Sequence, residues 1–242
     1  MRIIKLNATH STNDYLRELT LSESCEDFTC VVAKQQSKGK GQFGSKWVSS
    51  EGKNLTFSVY KKDLSVNTDD QFLVSMVSAL AVYKTVSDLN LKLISVKWPN
   101  DILAEQKKIS GILIENNIRQ QQIASSIIGI GLNVNQVDFS NLPKASSLKA
   151  LTGVTYFLDE LLLSTIQNLK LYFSILESTG KEYIIELYNN ILFRKNKPSM
   201  FEVEGSVSVG IIKKVSLNGH LFIEFEDEVL KSFNLKEVKH IY

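Results

Sequence analysis

Apolar residues recur along the chain with two periods, one typical of strands and one typical of helices. Alternating or short apolar runs predict strands at about 2–6, 28–34, 54–60, 93–98, 111–116 and 121–135. Apolar residues spaced three or four apart predict helices at about 11–20, 68–87, 155–177 and 181–193. This order predicts an α+β fold with a mixed sheet of about six or seven strands and helices on one side.

Capping residues and prolines mark where several elements begin and end. Ser11 and Asp14 have the spacing of a capping box, and so do Thr68 and Gln71, so a helix is expected to start at each pair. Pro99 cannot donate a hydrogen bond to a strand ladder and therefore ends the strand before it.

The chain changes character at Pro198. Short alternating strands follow, and Asn218-Gly219 indicates a type I′ hairpin turn. We therefore predict two domains, a catalytic or binding domain over 1–194 and a small SH3-like β-barrel over 195–242.

Composition is that of an ordinary soluble protein. The 242 residues are 43% hydrophobic and 22% charged, and no segment has the roughly 18–20 consecutive apolar residues that cross a bilayer. The N-terminal residues lack the apolar run of a signal peptide, so we expect a cytoplasmic protein that does not bind membranes. Cys25 and Cys30 are expected to be reduced and not to bind a metal. The net charge of +2 excludes a strongly basic nucleic-acid coat protein.

Lysine and glycine are concentrated in one segment, KQQSKGKGQFGSK at 34–46, which contains no carboxylate. Its GKGQFG string matches G-x-G-x-x-G, but a turn and a strand follow where a dinucleotide fold needs a helix. The other blocks of a protein kinase are also missing from the sequence. Two interpretations remain: a loop whose backbone N–H groups and lysines approach an anion, or a solvated surface loop.

Two further segments make an anion site more plausible than a plain surface loop. KWPND places Lys97, Asn100 and Asp101 at the end of a strand, and Lys107 and Lys108 open the next strand. In IGIGLNVN, two glycines interrupt a strand pattern, which is typical of a bulge or of a ligand close to the backbone. Taken singly, each segment also fits simple packing in a core.

Four blocks in order, STN at 11–13, QSKGKGQFGSKW at 36–47, KWPND with KKISGIL at 97–113, and GIGLNVN at 129–135, resemble the biotin protein ligase family. This family is also called biotin-[acetyl-CoA-carboxylase] ligase or holocarboxylase synthetase. The resemblance implies a catalytic domain with the fold of class II aminoacyl-tRNA synthetases and lipoate ligases, followed by an SH3-like barrel.

The resemblance also implies a reaction in two steps. The biotin carboxylate attacks the α-phosphate of MgATP to give biotinyl-5′-AMP and pyrophosphate. A lysine of a biotin carboxyl carrier protein or domain, of acetyl-CoA carboxylase or a related carboxylase, then attacks the acyl-adenylate. Because two anions must approach each other, fixed cations are needed to offset their repulsion.

Roles for individual residues follow from the positions that match the family's motifs. The catalytic residues are expected to be Lys108 and Lys40. Biotin is expected to contact Ser11, Thr12, Asn13, Gln36, Gly39, Lys40, Lys108, Gly111 and Leu113. ATP and the adenylate are expected to contact Lys40, Gly41, Gln42, Trp47, Lys97, Asn100 and Asn133. Mg²⁺ is expected to bind phosphate oxygens, with no certain protein ligand.

The sequence departs from the bacterial family pattern in two ways. Gln42 stands where a second loop arginine is common, so we expect the adenylate to escape more readily than in arginine-bearing relatives. Only ten residues precede Ser11, which leaves no room for a winged-helix domain, so we expect a monofunctional ligase that does not bind DNA.

Three questions stay open at this point. A lipoate or octanoate ligase or transferase has the same fold, and a non-catalytic biotin-binding regulator would contain the same motifs. Lys108 argues against the regulator, and KWPND with GIGLNVN argues against the lipoate enzymes. A homodimer would pair sheet edges, and the run at 121–133 has the alternation of an edge strand, as a buried strand also would.

Overall fold

The computed structural model describes residues 1–64, 66–226 and 228–242 in full. Cys25 and Cys30 are free and buried, and burial raises the pKa of the Cys30 thiol to about 12. A thiol with so high a pKa stays protonated at neutral pH, so Cys30 is a poor nucleophile. Within the described ranges, no helix is long and apolar enough to cross a membrane.

A seven-stranded mixed sheet forms the larger part of the molecule, with the strand order β1-β2-β3-β7-β6-β5-β4. Its first two strands are parallel and the other neighbours are antiparallel. The strands are β1 (Ile3–Thr9), β2 (Cys30–Gln36), β3 (Leu55–Asn67), β4 (Ile94–Lys97), β5 (Asp101–Ala104), β6 (Lys107–Arg119) and β7 (Gln122–Leu132).

Helices cover both faces of this sheet. They are α1 (Thr12–Ser22), α2 (Phe72–Ser87), α3 (Leu148–Thr152), α4 (Leu158–Thr179) and α5 (Lys181–Asn190). The apolar helix α2 packs against α4 and α5 and shares the main core with them. On α1, Leu16 packs with Val31 and Ile127, whose neighbours Cys30 and Ile128 belong to the main core. Since successive strand residues face opposite sides, α1 lies on the other face, and the prediction of helices on one side is wrong.

The chain from Pro198 onward forms a second sheet of five antiparallel strands in the order β11-β10-β9-β8-β12. These are β8 (Pro198–Val203), β9 (Ser206–Val215), β10 (Leu221–Phe225), β11 (Leu230–Phe233) and β12 (Val238–Ile241). In the part of the chain described here, β11 and β12 are not hydrogen-bonded to each other. The second sheet is therefore present where the sequence predicts a barrel, but its hydrogen bonds do not close into one.

The second sheet is tied to the first part of the molecule. Trp98 Nε1 donates a hydrogen bond of 2.9 Å to the carbonyl of Gly219, which lies in the loop between β9 and β10. In that loop Gly219 has a positive φ of 87° and Asn218 does not, whereas a type I′ turn needs positive φ at both residues. The turn type predicted from Asn218-Gly219 is therefore wrong, although the hairpin itself is present.

Of the two predicted capping boxes, one is confirmed and one is wrong. Ser11 caps α1 by accepting from the backbone N–H of Asp14, as predicted. At the second capping box, however, Thr68 opens a separate 3-10 turn at Thr68–Asp70, and α2 begins only at Phe72. The run at 121–133, for which an edge and a buried position were both open, contains β7, which pairs with β3 on one side and β6 on the other. A strand with both neighbours filled cannot extend the sheet into a second copy.

Candidate active site

A cavity of about 390 Å³ opens where the first turn of α1, the glycine-lysine loop, β6 and β7 meet the second sheet. Its lining contains the cationic side chains of Lys40, Lys46, Lys97, Lys108, Lys236 and Lys239. Asp101 is the one carboxylate among the described lining residues. The cavity is therefore strongly positive and suited to an anionic ligand.

The floor of the cavity includes the STN segment, which is held by hydrogen bonds within the protein. Thr12 and Asn13 are 4% and 3% exposed. The backbone N–H of Thr12 donates to Gln36 Oε1 at 2.7 Å, so the Nε2 of this amide remains as a donor. Asn13 Nδ2 donates to Glu115 Oε2 at 3.1 Å. The floor is thus fixed before any ligand binds.

Two paired glycines make a flat seat for an aromatic ring. Gly111 on β6 lies opposite Gly131 on β7. A Cβ at Gly131 would come within 2.3 Å of the Trp47 indole, and one at Gly111 would lie 3.3 Å from it. Only glycine lets the ring of Trp47, which comes from the loop, lie this close to the strands.

Lys108 lies beside this seat. Its Nζ is 2.6 Å from Asp101 Oδ1 and 5.9 Å from the centre of the Trp47 ring. Lys108 is the second residue of the long strand β6, and Asp101 begins β5, its neighbour in the sheet. The ammonium is therefore held by a carboxylate from the KWPND motif at the edge of the cavity.

Lys97 forms a second cationic position at the base of the cavity. Burial lowers the pKa of Lys97, the Asp101 carboxylate partly opposes this, and the nearby charges of Lys108 and Lys144 lower it further. The ring of Tyr242 lies 5.1 Å from Lys97 Nζ and 4.5 Å from Lys144 Nζ. These cation–π contacts favour the charged lysines.

His240 packs beside this group without adding charge. Its ring stacks on Phe201 with the centroids 4.7 Å apart. Burial, followed by the charges of Lys97, Arg194 and Lys144, lowers the pKa of His240 to about 4. The imidazole is therefore neutral at pH 7, and the positive charge of the cavity comes from its lysines.

The roof of the cavity is the glycine-lysine loop. Lys40 Nζ donates to Asp14 Oδ1 at 2.7 Å, and Arg17 donates to the same oxygen at 3.1 Å. At the loop tip, Phe43 has a positive φ of 54° and its ring lies 4.2 Å from Lys236 Nζ of the second sheet. The loop is thus attached at one end to α1 and at its tip to the second sheet.

The structure brings most of the predicted site residues together. The cavity lining includes Ser11, Thr12, Asn13, Gln36, Lys40, Gly41, Gln42, Trp47, Lys97, Asn100, Lys108, Gly111 and Leu113. Gly39 and Asn133 lie outside the lining. The carbonyl of Gly39 accepts a hydrogen bond from the backbone N–H of Trp47, and Asn133 Nδ2 donates to the carbonyl of Ser146 at 3.0 Å. In this structure both residues support the walls, and their ligand contacts stay predictions.

The sequence interpretation missed the contribution of the second sheet. Lys236, Val238, Lys239 and His240 all line the cavity. The alternating pattern of these short strands does not show which part of the protein a side chain faces. No local signal in the sequence therefore identified these four residues. Asp101 was assigned no role either, although its position four residues after Lys97 in the KWPND motif was a signal that it lies near the cations.

Comparison with known proteins connects this site to one family. Residues 6–133, which carry the STN, loop, KWPND and glycine-strand segments, match the model of the biotin/lipoate A/B protein ligase family. Over 127 residues, 52% of this chain, it is 35% identical to the bifunctional ligase/repressor BirA of Bacillus subtilis. Over 227 residues, 91% of this chain, it is 25% identical to BirA of Escherichia coli. The matches span 38% and 68% of the length of these two relatives.

A solved structure shows the same fold over nearly the whole chain. It is a biotin protein ligase from Aquifex aeolicus in complex with biotin and ATP, with a TM-score of 0.80 at 24% sequence identity, and the match covers 99% of this chain and 98% of that one. The likeness includes the second sheet and establishes the architecture. Since the family model covers more than half of the residues, including the STN, loop and KWPND segments that line the cavity, this chain belongs to the biotin/lipoate A/B protein ligase family.

Proposed function

We propose that this protein is an ATP-dependent biotin ligase that forms biotinyl-5′-AMP and transfers biotin to a lysine of a biotin carboxyl carrier protein or domain. The observation that carries the proposal is the juxtaposition of Lys108 and Lys97 with the hydrogen-bonded STN floor in one cavity. The Aquifex structure contains biotin and ATP, and relatives named biotin--[acetyl-CoA-carboxylase] ligase are 32% and 30% identical over 143 and 131 residues.

The charges of the cavity suit the first step. When a carboxylate approaches a triphosphate at about 4 Å, each pair of unit charges repels by about 4 kcal/mol at an effective dielectric near 20. Lys108 is positioned to offset this repulsion by binding both the carboxylate and the α-phosphate. Ligand anions would replace Asp101, which pairs with the ammonium now. Lys97 and Lys40 would bind the remaining phosphate oxygens.

Bonds change in a simple order in this reaction. A carboxylate oxygen of biotin forms a bond to the α-phosphorus, and the bond to the bridging oxygen of pyrophosphate breaks. In the second step, the amine of a carrier lysine attacks the acyl carbon, loses a proton and expels AMP. The lysines of the cavity stabilise negative charge on the phosphates in both steps.

Mg²⁺ fits this site as a companion of the triphosphate. The described lining contains a single carboxylate, and the described residues contain no cluster of three or more His, Cys, Asp or Glu side chains. The phosphate oxygens would therefore supply most of the ligands to the ion. When bound, Mg²⁺ would neutralise part of the charge on the phosphates.

Several finer statements rest on the sequence alone. The partition into 1–194 and 195–242, the carrier of acetyl-CoA carboxylase as partner and the cytoplasmic location stay predictions. A homodimer also stays a prediction, and it would not use the strand first considered for it, since β7 lies inside the sheet.

Pyrophosphate release tests the proposal directly. The chain is incubated with ATP, Mg²⁺ and biotin, and in parallel with lipoate or octanoate in place of biotin. We expect release only with biotin, and biotin transfer once a carrier domain is added. Release with lipoate or octanoate alone would show a lipoate-type enzyme, and biotin binding without release would show a non-catalytic regulator.

A further inference from the structure

Ser58 lies behind the floor of the cavity, in the middle of β3. It is fully buried, and it is not among the residues that line the cavity. No motif includes it. Its hydroxyl nevertheless reaches two residues of the STN segment, lying 2.8 Å from Thr12 Oγ1 and 2.5 Å from Asn13 Oδ1.

The donors and acceptors that are available determine the direction of these hydrogen bonds. Asn13 Nδ2 donates to the Glu115 carboxylate, which also accepts from Arg17, so Asn13 presents its carbonyl oxygen to Ser58. An amide oxygen can only accept, and therefore the single proton of Ser58 goes to Asn13. The Ser58 oxygen is then free to accept from the hydroxyl of Thr12.

The hydroxyl proton of Thr12 is consequently kept inside the protein. It has two acceptors, Ser58 Oγ at 2.8 Å and Gln36 Oε1 at 3.1 Å. The Gln36 amide is held in this orientation because its Oε1 also accepts from the Thr12 backbone N–H. With its proton directed away, Thr12 presents an oxygen lone pair to the cavity.

Gly129 leaves the space that this arrangement needs. Ser58 pairs with Gly129 of β7, and a Cβ at Gly129 would come within 2.3 Å of Asn13 Oδ1. The absence of a side chain at Gly129 lets Asn13 fold down onto the sheet and meet the Ser58 hydroxyl. The network is therefore built by β3 and β7 together.

We propose that Ser58 is a positioning residue for ligand specificity, which fixes Thr12 as a hydrogen-bond acceptor and so selects a ligand that offers an N–H group. This inference rests on the proposed function. A cyclic urea such as that of biotin carries N–H donors, whereas lipoate and octanoate carry none in their ring or chain. In a family whose members take biotin or lipoate, Ser58 favours the urea from a position that the ligand never touches.

Direct binding by calorimetry, with biotin and without ATP, tests Ser58. The Ser58→Ala variant loses the donor to Asn13 and the nearer acceptor for Thr12. Gln36 Oε1, at 3.1 Å, is then the remaining one of the two acceptors, so the Thr12 proton is held less firmly away from the cavity. We expect biotin to bind about 10- to 30-fold more weakly, the size of effect given by one or two lost or misdirected hydrogen bonds. The KM for ATP and kcat at saturating biotin are expected to stay within about threefold, since the cations are untouched.

Two comparison variants separate positioning from loss of stability. Ser78 is also fully buried, but its hydroxyl donates to the carbonyl of Val74 inside α2. Melting temperatures are measured for both variants, and we expect Ser78→Ala to leave the biotin affinity unchanged. Ser58→Cys keeps the size of the side chain and a weak donor, and should bind biotin with intermediate affinity.

The outcomes are distinct. Binding of biotin to Ser58→Ala within twofold of the unaltered chain would overturn the inference, as would an equal loss in Ser78→Ala. If the unaltered chain itself does not bind biotin, the proposed function fails, whatever Ser58 does. Weaker biotin binding in Ser58→Ala alone, with unchanged lipoate binding, supports the inference.

Discussion

The floor and the roof of the cavity are built in opposite ways. The floor residues Ser11, Thr12 and Asn13 are buried and hydrogen-bonded to other elements. The roof is a loop in which Lys40 and Phe43 are exposed. It is attached by an ion pair of Lys40, a cation–π contact of Phe43 and the ring of Trp47 on the paired glycines. Exposed ion pairs contribute roughly 0–1 kcal/mol, so the exposed part of the roof is held less firmly than the floor. The comparison shows a floor fixed by internal hydrogen bonds and a roof that carries positive charge on weaker attachments.

The largest effect is expected at the edge of the floor, from Lys108→Ala. This variant removes the cation proposed to bind both reacting groups, and it should lower the rate of adenylate formation about 10²- to 10⁴-fold. The assay is biotin-dependent pyrophosphate release. Lys107→Ala is the matched control, because Lys107 is the exposed neighbour outside the cavity and should retain full activity. A rate within threefold of normal for Lys108→Ala would remove the residue from its assigned role.

The roof touches the strands below it where the ring of Trp47 lies on Gly131, and Gly131→Ala is expected to break this contact. The added methyl of Gly131→Ala would lie within 2.3 Å of the Trp47 ring and force the indole off the strands. Overpacking of this kind costs on the order of 1–3 kcal/mol, so we expect adenylate formation to fall roughly tenfold or more. Tryptophan fluorescence should shift to longer wavelength. If displacement of the ring causes the loss, Gly131→Ala should lower the rate of adenylate formation little further in a protein that already carries Trp47→Ala. A full additional loss of rate in the double variant would contradict this explanation.

Charge in the roof is tested by Gln42→Arg. Gln42 lines the cavity without a charge, and an arginine there would add a cation for the phosphate of the adenylate. A charged hydrogen bond contributes about 1.5–3 kcal/mol, so dissociation of biotinyl-5′-AMP should slow by roughly tenfold. The measurement is release of labelled adenylate, with Gln35→Arg on β2, outside the cavity, as control. Unchanged release from the Gln42 variant would show that the roof does not retain the intermediate.

The lowered pKa of Lys97 predicts that the rate of the enzyme depends on pH. A lysine is charged below its pKa, and burial has lowered the pKa of Lys97, so its charge is lost as pH rises through a range below that of an ordinary lysine. The rate at subsaturating ATP should therefore fall on the alkaline side. Lys97→Arg keeps its charge at alkaline pH and should move this fall to higher pH. Lys107→Arg serves as control, and identical alkaline profiles for all three proteins would exclude Lys97 as the titrating group.

The smallest effect is expected from the attachment of the roof to α1. Asp14→Asn removes the carboxylate that pairs with Lys40, which should free the loop and raise its cleavage by trypsin in the ligand-free protein about two- to fivefold. Glu23→Gln breaks a comparable pair with Arg2 at the far end of the same helix and should leave loop cleavage unchanged. Equal cleavage in both variants and the unaltered chain would mean that Asp14 does not hold the loop.

The sequence by itself determined most of the elements and part of the cavity lining. Helix and strand periods and the Ser11 cap act over a few residues, so most elements lie near their predicted positions. Through their resemblance to the biotin protein ligase family, the four motif blocks identified thirteen residues that line the cavity. Where the local pattern was ambiguous, as at Thr68 or Asn218-Gly219, the predicted capping and turn geometry were wrong.

Only the tertiary structure decided which surfaces meet. An alternating strand has the same pattern at an edge and inside a sheet, and pairing on both sides placed β7 in the interior. The second sheet supplies Lys236, Lys239 and His240 to the cavity, and β3 supplies Ser58 behind its floor. These contacts join residues that are far apart in the chain, and their hydrogen bonds and charges exist only once the sheets have packed.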